Sequence, residues 1–169
     1  VRDEEADGGP RYLHDHSIVD HLPKLADRVT IPRFFAPDLL HCVPADEGLM
    51  YTRSWPSLFV GPRGTQSDLH VDSFASHFYM GLLSGVKYWR IWPASETPLL
   101  YPTAPMEGSR DLVFASDPLN PDLKLHPAAA LTHPWEHVLE AGDIIFVPSE
   151  CPHFVKNLDD TVAISGNYV

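Results

Sequence analysis

Gly142-Asp143-Ile144-Ile145-Phe146-Val147-Pro148-Ser149-Glu150-Cys151-Pro152-His153 reads as a turn, an apolar strand, a proline exit and a second turn that ends on an imidazole. Upstream, Asp68-Leu69-His70-Val71-Asp72-Ser73 alternates and reads as another strand. Side chains two apart on a strand share a face, so His70 and Asp72 aim at one point from one rigid element. With His153 they make two imidazoles and one carboxylate. That set holds non-haem Fe(II) and leaves coordination positions open. A His-x-Asp tripeptide alone is a weak signal among 10 His and 23 acidic residues. The G-D-x-x-F-V-P-x-x-x-x-H run is far more specific, because its strand has to end at the metal.

Working outward, Tyr12 to His16 reads as a short strand and residues 17–28 as a short helix or turn limited by Pro23. Pro37 to His41 reads as a helical turn. Leu58-Phe-Val60 is a strand followed by the turn Gly61-Pro-Arg-Gly64, and Ser76 to Leu83 is another, closed by Ser84-Gly85. Val86-Lys-Tyr-Trp-Arg-Ile-Trp92 alternates clearly. Ser95 to Trp135 is Pro-rich and weakly patterned, a long connection of the kind that serves as a functional loop. Trp135–Leu139, Asp143–Val147, Phe154–Asn157 and Thr161–Ser165 complete the strands, with Asn157-Leu-Asp-Asp160 as a polar hairpin turn.

A chain of 169 residues with 44% hydrophobic content suits one globular domain with a sizeable core. Its 17 Pro and 10 Gly favour a loop-rich β protein over a helical bundle. No apolar run approaches a membrane span. Val1-Arg-Asp-Glu-Glu-Ala-Asp is polar and acidic, unlike a signal peptide, which predicts an intracellular protein, cytoplasmic or nuclear. Residues 1–9 read as a disordered leader and residues 10–169 as the catalytic domain. Because the first residue is not Met, the sequence reads as a fragment lacking further segments. Two cysteines, Cys42 and Cys151, argue against a disulfide framework, and Cys151 reads as a small buried thiol. The formal net charge of −11 disfavours direct nucleic acid binding and suits a basic protein or peptide substrate. Oligomeric state is not legible.

These motifs resemble those of the JmjC-domain oxygenases, within the cupin-like Fe(II)/2-oxoglutarate enzymes. The resemblance rests on Ile31–Leu40, Phe59–Thr65, His70-Val-Asp72, Gly85–Pro93, Leu139–Pro148 and His153–Ser165, in order and with spacing intact over roughly residues 10 to 169. It is nearer to the small protein hydroxylases and the arginine demethylase/lysyl hydroxylase type than to large multidomain histone demethylases. It implies a mainly β double-stranded β-helix (a jelly-roll, cupin-like barrel) with short flanking helices. It also implies Fe(II) held by His70, Asp72 and His153, with 2-oxoglutarate and O2 as co-substrates. Lys87 matches the lysine that receives the far carboxylate of 2-oxoglutarate, and Tyr12 the tyrosine that hydrogen-bonds it. Ser67 and Ser165 match pocket hydroxyls. Asn167 shares the parity of Ser165 and faces inward near iron. One departure stands out: where many relatives carry an Asn, this chain has His77-Phe-Tyr-Met80.

The implied activity is hydroxylation of a protein side chain, or N-demethylation through hydroxylation. Two alternatives remain open at the level of sequence. One is a histone lysine demethylase in the narrow sense. The other is a non-catalytic cupin-like binding or scaffold protein, for which the absent Asn leaves room. His14, His16 and His21 cluster in sequence, and His14 and His16 have same-face strand spacing, which suggests a surface or pocket-rim role rather than a second metal. Trp55, Trp89, Trp92 and Trp135 read as core and rim packing, and Arg53 and Arg63 as solvated cations.

Overall fold

The computed structural model of the protein describes residues 9–36, 38–42, 54–103 and 112–169. The strands are β1 (Leu13–Ser17), β2 (Ser57–Gly61), β3 (Gln66–Val71), β4 (His77–Ser84), β5 (Val86–Ile91), β6 (Pro102–Thr103), β7 (Leu112–Phe114), β8 (Trp135–Glu140), β9 (Ile144–Val147), β10 (His153–Asn157) and β11 (Thr161–Tyr168). They form two antiparallel sheets, β1-β2-β11-β4-β9 and β6-β7-β3-β10-β5-β8. This is the expected jelly-roll arrangement. Two one-turn helices flank it, α1 (Ile18–His21) and α2 (Pro23–Ala26).

Period-two patterning explains the layers. On β4, Phe78, Met80 and Leu82 are buried, and on β5 Lys87, Trp89 and Ile91 are buried while Val86, Tyr88 and Arg90 are partly open. These inward residues meet Phe59, Leu139, Val147, Val155 and Ala163 between the sheets. Each fully buried large side chain there contributes about 1.5–3 kcal/mol of transfer free energy. On the other face of the six-stranded sheet, Leu69 and Phe154 pack with Trp92 and Leu100 in a second cluster. The 3₁₀ stretch Ala94–Leu100 covers it.

Several expectations need correction. β3 ends at Val71, and Asp72 leads into a 3₁₀ turn, Ser73–Ala75. Asp72 nevertheless keeps extended backbone (φ −63°, ψ 150°), so its side chain still follows the parity of His70. The weakly patterned 95–135 stretch holds β6, β7 and two 3₁₀ segments rather than irregular chain alone. β7 pairs with β3 through His70↔Val113 and Val71↔Leu112, which sets this connection against the strand that bears His70. β11 runs three residues past Ser165, which places Asn167 on the ladder. Trp55, Trp89 and Trp92 are buried, but Trp135 is 60% exposed at the start of an edge strand. The expected turn at 37–41 appears as a 3₁₀ turn, Leu40–Cys42, with residue 37 outside the described residues. Residues 1–8 of the expected leader and Arg53 also lie outside them.

Candidate metal centre and anion pocket

His70 and His153 face each other directly across the antiparallel pair β3–β10. Each imidazole is fixed by its own chain. His70 Nδ1 lies 2.6 Å from the Asp68 carbonyl oxygen, and His153 Nδ1 lies 3.1 Å from that of Cys151. A carbonyl only accepts, so both Nδ1 atoms carry the proton and both Nε2 lone pairs point away, ready for a cation. Asp72 Oδ1 stands 3.3 Å from His70 Nε2 and 3.8 Å from His153 Nε2, and the three ligand atoms lie within 4.8 Å of one another. The other carboxylate oxygen accepts from Asn167 Nδ2 at 2.8 Å, and the same nitrogen donates to Ser76 Oγ at 2.9 Å. Asp72 is thereby held with one oxygen toward the imidazoles. Burial pushes its carboxyl up, but the His153 and His70 imidazoles and the Asn167 amide outweigh that and hold it well below the usual carboxylate range.

The two turns that deliver these side chains are strained and tied together. Phe74 and Ala75 follow Asp72 with φ of 64° and 48°, and Glu150 precedes His153 with φ of 62°. Non-glycine residues in this region cost about 1–3 kcal/mol each unless their surroundings fix them. Ser149 supplies the fixing. Its backbone N–H donates to His77 Nδ1 at 2.9 Å, and its hydroxyl donates to the Ala75 carbonyl at 2.6 Å. Val71, Ala94, Thr97, Pro98, Leu112 and Glu150 line a separate open cleft, to which none of the three ligand residues contributes.

Four residues along the same ladder, about 13 Å of backbone, lies a buried lysine. Lys87 is 0% exposed. Its Nζ donates to Asn157 Oδ1 at 2.6 Å and to the Tyr12 hydroxyl at 3.1 Å, and no carboxylate pairs with it among the described residues. An ammonium has three donors, so one remains to be used. Burial pulls its pKa down to about 8. Asn157 is itself locked: its Oδ1 accepts from Thr161 Oγ1 at 3.0 Å, and its Nδ2 donates to Thr65 Oγ1 at 2.8 Å. Tyr12 is within hydrogen-bond reach of Ser67 and Asn157, and burial pushes its phenol up to about 12, so it stays a neutral donor. Gly61 leaves the room this cradle needs. A Cβ there would run into Asn157 Nδ2 and stand 2.8 Å from Tyr12 Cε2.

Two buried polar atoms in this region lack any hydrogen-bond partner among the described residues, Ser165 Oγ and Trp89 Nε1. Orphaned donors beside an ammonium with a spare N–H are the complement of an anion that also carries polar atoms along its length. Imidazole and carboxylate donors at the other end suit a first-row divalent ion. The residues present therefore fit a metal ion together with a small dicarboxylate.

The structure brings Tyr12, Ser67 and Lys87 to one end, and His70, Asp72, His153 and Asn167 to the other. Ser67 reaches the inward face for a reason the spacing hides. β3 and β10 pair His70↔His153 and Ser67↔Val155, so an extra residue on β3 bulges between them. A second irregularity corrects the reading of His14 and His16. Asp15 has φ of 51° and the β1–β2 register slips around it, so the two rings part. His14 turns to Ser67 (Nε2 to Oγ 3.1 Å), and His16 stacks on His21 with ring centroids 4.4 Å apart. His77, in the stretch where relatives carry an Asn, accepts from the Ser149 backbone and holds that turn. Asn157 was the residue sequence reasoning missed. Its parity with His153 and Val155 on β10 was the available signal, obscured by reading it as part of a polar turn. Cys151 is free and buried as expected, and burial pushes its thiol up.

A two-sheet jelly roll with a His-Asp-His cluster on neighbouring strands defines a cupin-type metal protein. The sequence matches the cupin-like domain over residues 2–169, and the chain belongs to that family. It is 32% identical to the human protein named 2-oxoglutarate and iron-dependent oxygenase JMJD4, over 95% of this chain and 37% of that protein. It is 29% identical to the Arabidopsis thaliana protein named Lysine-specific demethylase JMJ21, over 98% of this chain and 17% of that protein. The rat HSPB1-associated protein 1 is 35% identical over 64% of this chain and 23% of its own length. These relatives and the family match show the resemblance to JmjC-domain oxygenases read from the motifs. The chain spans little more than a third of the JMJD4 proteins it matches. No helix among the described residues is long and apolar enough to cross a membrane.

Proposed function

We propose that this chain is the catalytic domain of an Fe(II)- and 2-oxoglutarate-dependent dioxygenase that hydroxylates a protein side chain, or removes an N-methyl group by hydroxylating it. The observation that carries the reading is the pairing of two sites across one cavity wall. A His-Asp-His cluster with both Nε2 atoms free of protons lies on and beside strands β3 and β10, next to β5 with its buried lysine, which no carboxylate pairs with among the described residues. The human, mouse and chicken JMJD4 relatives bear names that include iron and 2-oxoglutarate.

In this reading His70, Asp72 and His153 hold the iron. When bound, iron with 2-oxoglutarate and O2 supplies an oxidant strong enough to break a C–H bond, with succinate and CO2 as co-products. The rest is the work of the chain. Lys87 and Tyr12 receive the far carboxylate, and Asn157 aims the lysine. Ser67 and Ser165 offer hydroxyls along the dianion. Asn167 holds Asp72 so that one oxygen faces the ion. Trp89 and Phe78, with rings 6.0 and 5.9 Å from that of His153, exclude water from one side. The net charge of −11 favours a basic segment of protein as the target.

Anaerobic addition of Fe(II) and then 2-oxoglutarate should produce a weak visible charge-transfer band, and admitting O2 should yield succinate. His70→Ala should remove the band. A band that survives this substitution, or turnover without O2 uptake, would sink the assignment.

A further inference from the structure

On the reading of the pocket as a 2-oxoglutarate site, we propose that His14 is a positioning residue for the far carboxylate, switching its hydrogen bond to Ser67 from acceptor to donor when the dianion docks. Without ligand, the donors along this wall run one way. Lys87 Nζ has no lone pair and must donate to Tyr12 Oη. The Tyr12 proton is then free for Ser67, which lies within its reach. The Ser67 proton is in turn free for His14 Nε2 at 3.1 Å. The chain of protons ends on a neutral imidazole.

A carboxylate only accepts. Once it lies against Lys87, the Tyr12 and Ser67 hydroxyls turn their protons toward it. Ser67 Oγ is left facing His14 Nε2 with a lone pair. Two lone pairs 3.1 Å apart repel, so His14 must bring a proton to Nε2 or break the contact. The ring is in place to do this. It stands edge-on to Tyr12 and Phe59, with centroids 5.3 and 4.8 Å away, while keeping access to solvent for proton exchange. The charges around it agree with an acceptor in the ligand-free state. Burial, the His70 imidazole on β3 and Lys87 on β5 all hold the pKa of His14 below its ordinary value, against Asp15 on its own strand and Asp72. A bound dianion near Lys87 reverses the sign of that field.

The test uses the Fe(II)-loaded protein under anaerobic conditions, titrated calorimetrically with 2-oxoglutarate and separately with oxalate. Oxalate chelates iron but is too short to reach Lys87. His14→Phe keeps the ring packing and removes donor and acceptor together. It should weaken 2-oxoglutarate binding about tenfold and leave oxalate unchanged. His14→Gln, which can donate or accept, should recover affinity to within about threefold. Adding Ser67→Ala to His14→Phe should cost more than His14→Phe alone, because the Ser67 hydroxyl also donates to the carboxylate, but less than the sum of the two single losses, since His14 acts through Ser67. Equal losses for both ligands, or a His14→Phe protein that binds 2-oxoglutarate like wild type, would overturn the role of His14. A wild-type protein that does not bind 2-oxoglutarate would instead overturn the reading of the pocket.

Discussion

At the scale of single residues, Lys87 opposes folding in the ligand-free protein. Its pKa is about 8 when folded against 10.5 for a free lysine. A depressed lysine penalises the folded state below the folded value, and the penalty disappears as pH rises from about 8 toward the free value. The difference corresponds to roughly 3 kcal/mol at neutral pH. Lys87→Met should therefore stabilise the ligand-free protein by about 1–3 kcal/mol, a rise in Tm of several degrees. The same variant should show no further rise with 2-oxoglutarate in differential scanning calorimetry. If it melts lower than wild type, the lysine is not a preformed anion site. The ammonium also sets a pH limit. Affinity for 2-oxoglutarate should be level below about pH 8 and fall above it as Lys87 loses its proton. A level profile through pH 9 would contradict this. Gly61 tests the cradle by volume. The Cβ of Gly61→Ala would overlap Asn157 and Tyr12, so 2-oxoglutarate should bind more than tenfold more weakly while the metal ligands, on other strands, keep their iron.

At the scale of elements, the two ligand-bearing turns act as one unit, because Ser149 reaches across from the β9–β10 turn to Ala75 and His77 beyond β3. Ser149→Ala keeps the backbone bond and loses the hydroxyl bond, a change of about 1 kcal/mol. Part of that should appear as iron affinity several-fold weaker, read by anaerobic Fe(II) titration, with 2-oxoglutarate affinity at saturating iron unchanged. Wild-type iron affinity in the variant would show the turns to be independent. Strand elements were legible where alternation was strong, as on β5, since one buried face imposes period two, and β4 was legible from its apolar run, whose Phe78, Tyr79 and Met80 are all buried. The His-Asp-His cluster was legible because His70 and Asp72 share parity and His153 opens the strand that follows the Pro148–Pro152 turn. What escaped were breaks in parity. A bulge leaves no compositional mark, so the inward turn of Ser67 and the parting of His14 from His16 could not be read. β6 and β7 are too short to show a pattern, and they gain their structure from pairing with β3 and each other. Asn157 sat beside genuine turn residues, and polar character at a strand end looks the same whether it faces solvent or a buried ammonium.

At the scale of the whole molecule, the sandwich places its ligand sites on neighbouring strands. β3, β5 and β10 of the six-stranded sheet carry His70, Ser67, Lys87, His153 and Asn157, and β11 of the five-stranded sheet brings Ser165 and Asn167 over them. On the proposed reading, a metal ion at one end and a dianion at the other would bind the same three neighbouring strands, β3, β10 and β5, and would stabilise the native state at the expense of the unfolded one. At a hundredfold excess over its dissociation constant, one ligand contributes about 2.7 kcal/mol, or roughly 5–10 °C in Tm for a chain of this size. The two should be cooperative in a particular way. A dicarboxylate anchored only at Lys87 lacks its chelate, so 2-oxoglutarate without metal should shift Tm little. Added after Fe(II) under argon, it should shift Tm by the full amount. His70→Ala should fold, because the ring is partly open and its loss leaves the Leu69 and Phe154 packing intact, yet it should lose both the metal shift and the metal-dependent shift from 2-oxoglutarate. Equal shifts from 2-oxoglutarate with and without metal would mean that the two sites do not share one ligand, and the dioxygenase reading would fail at its central point.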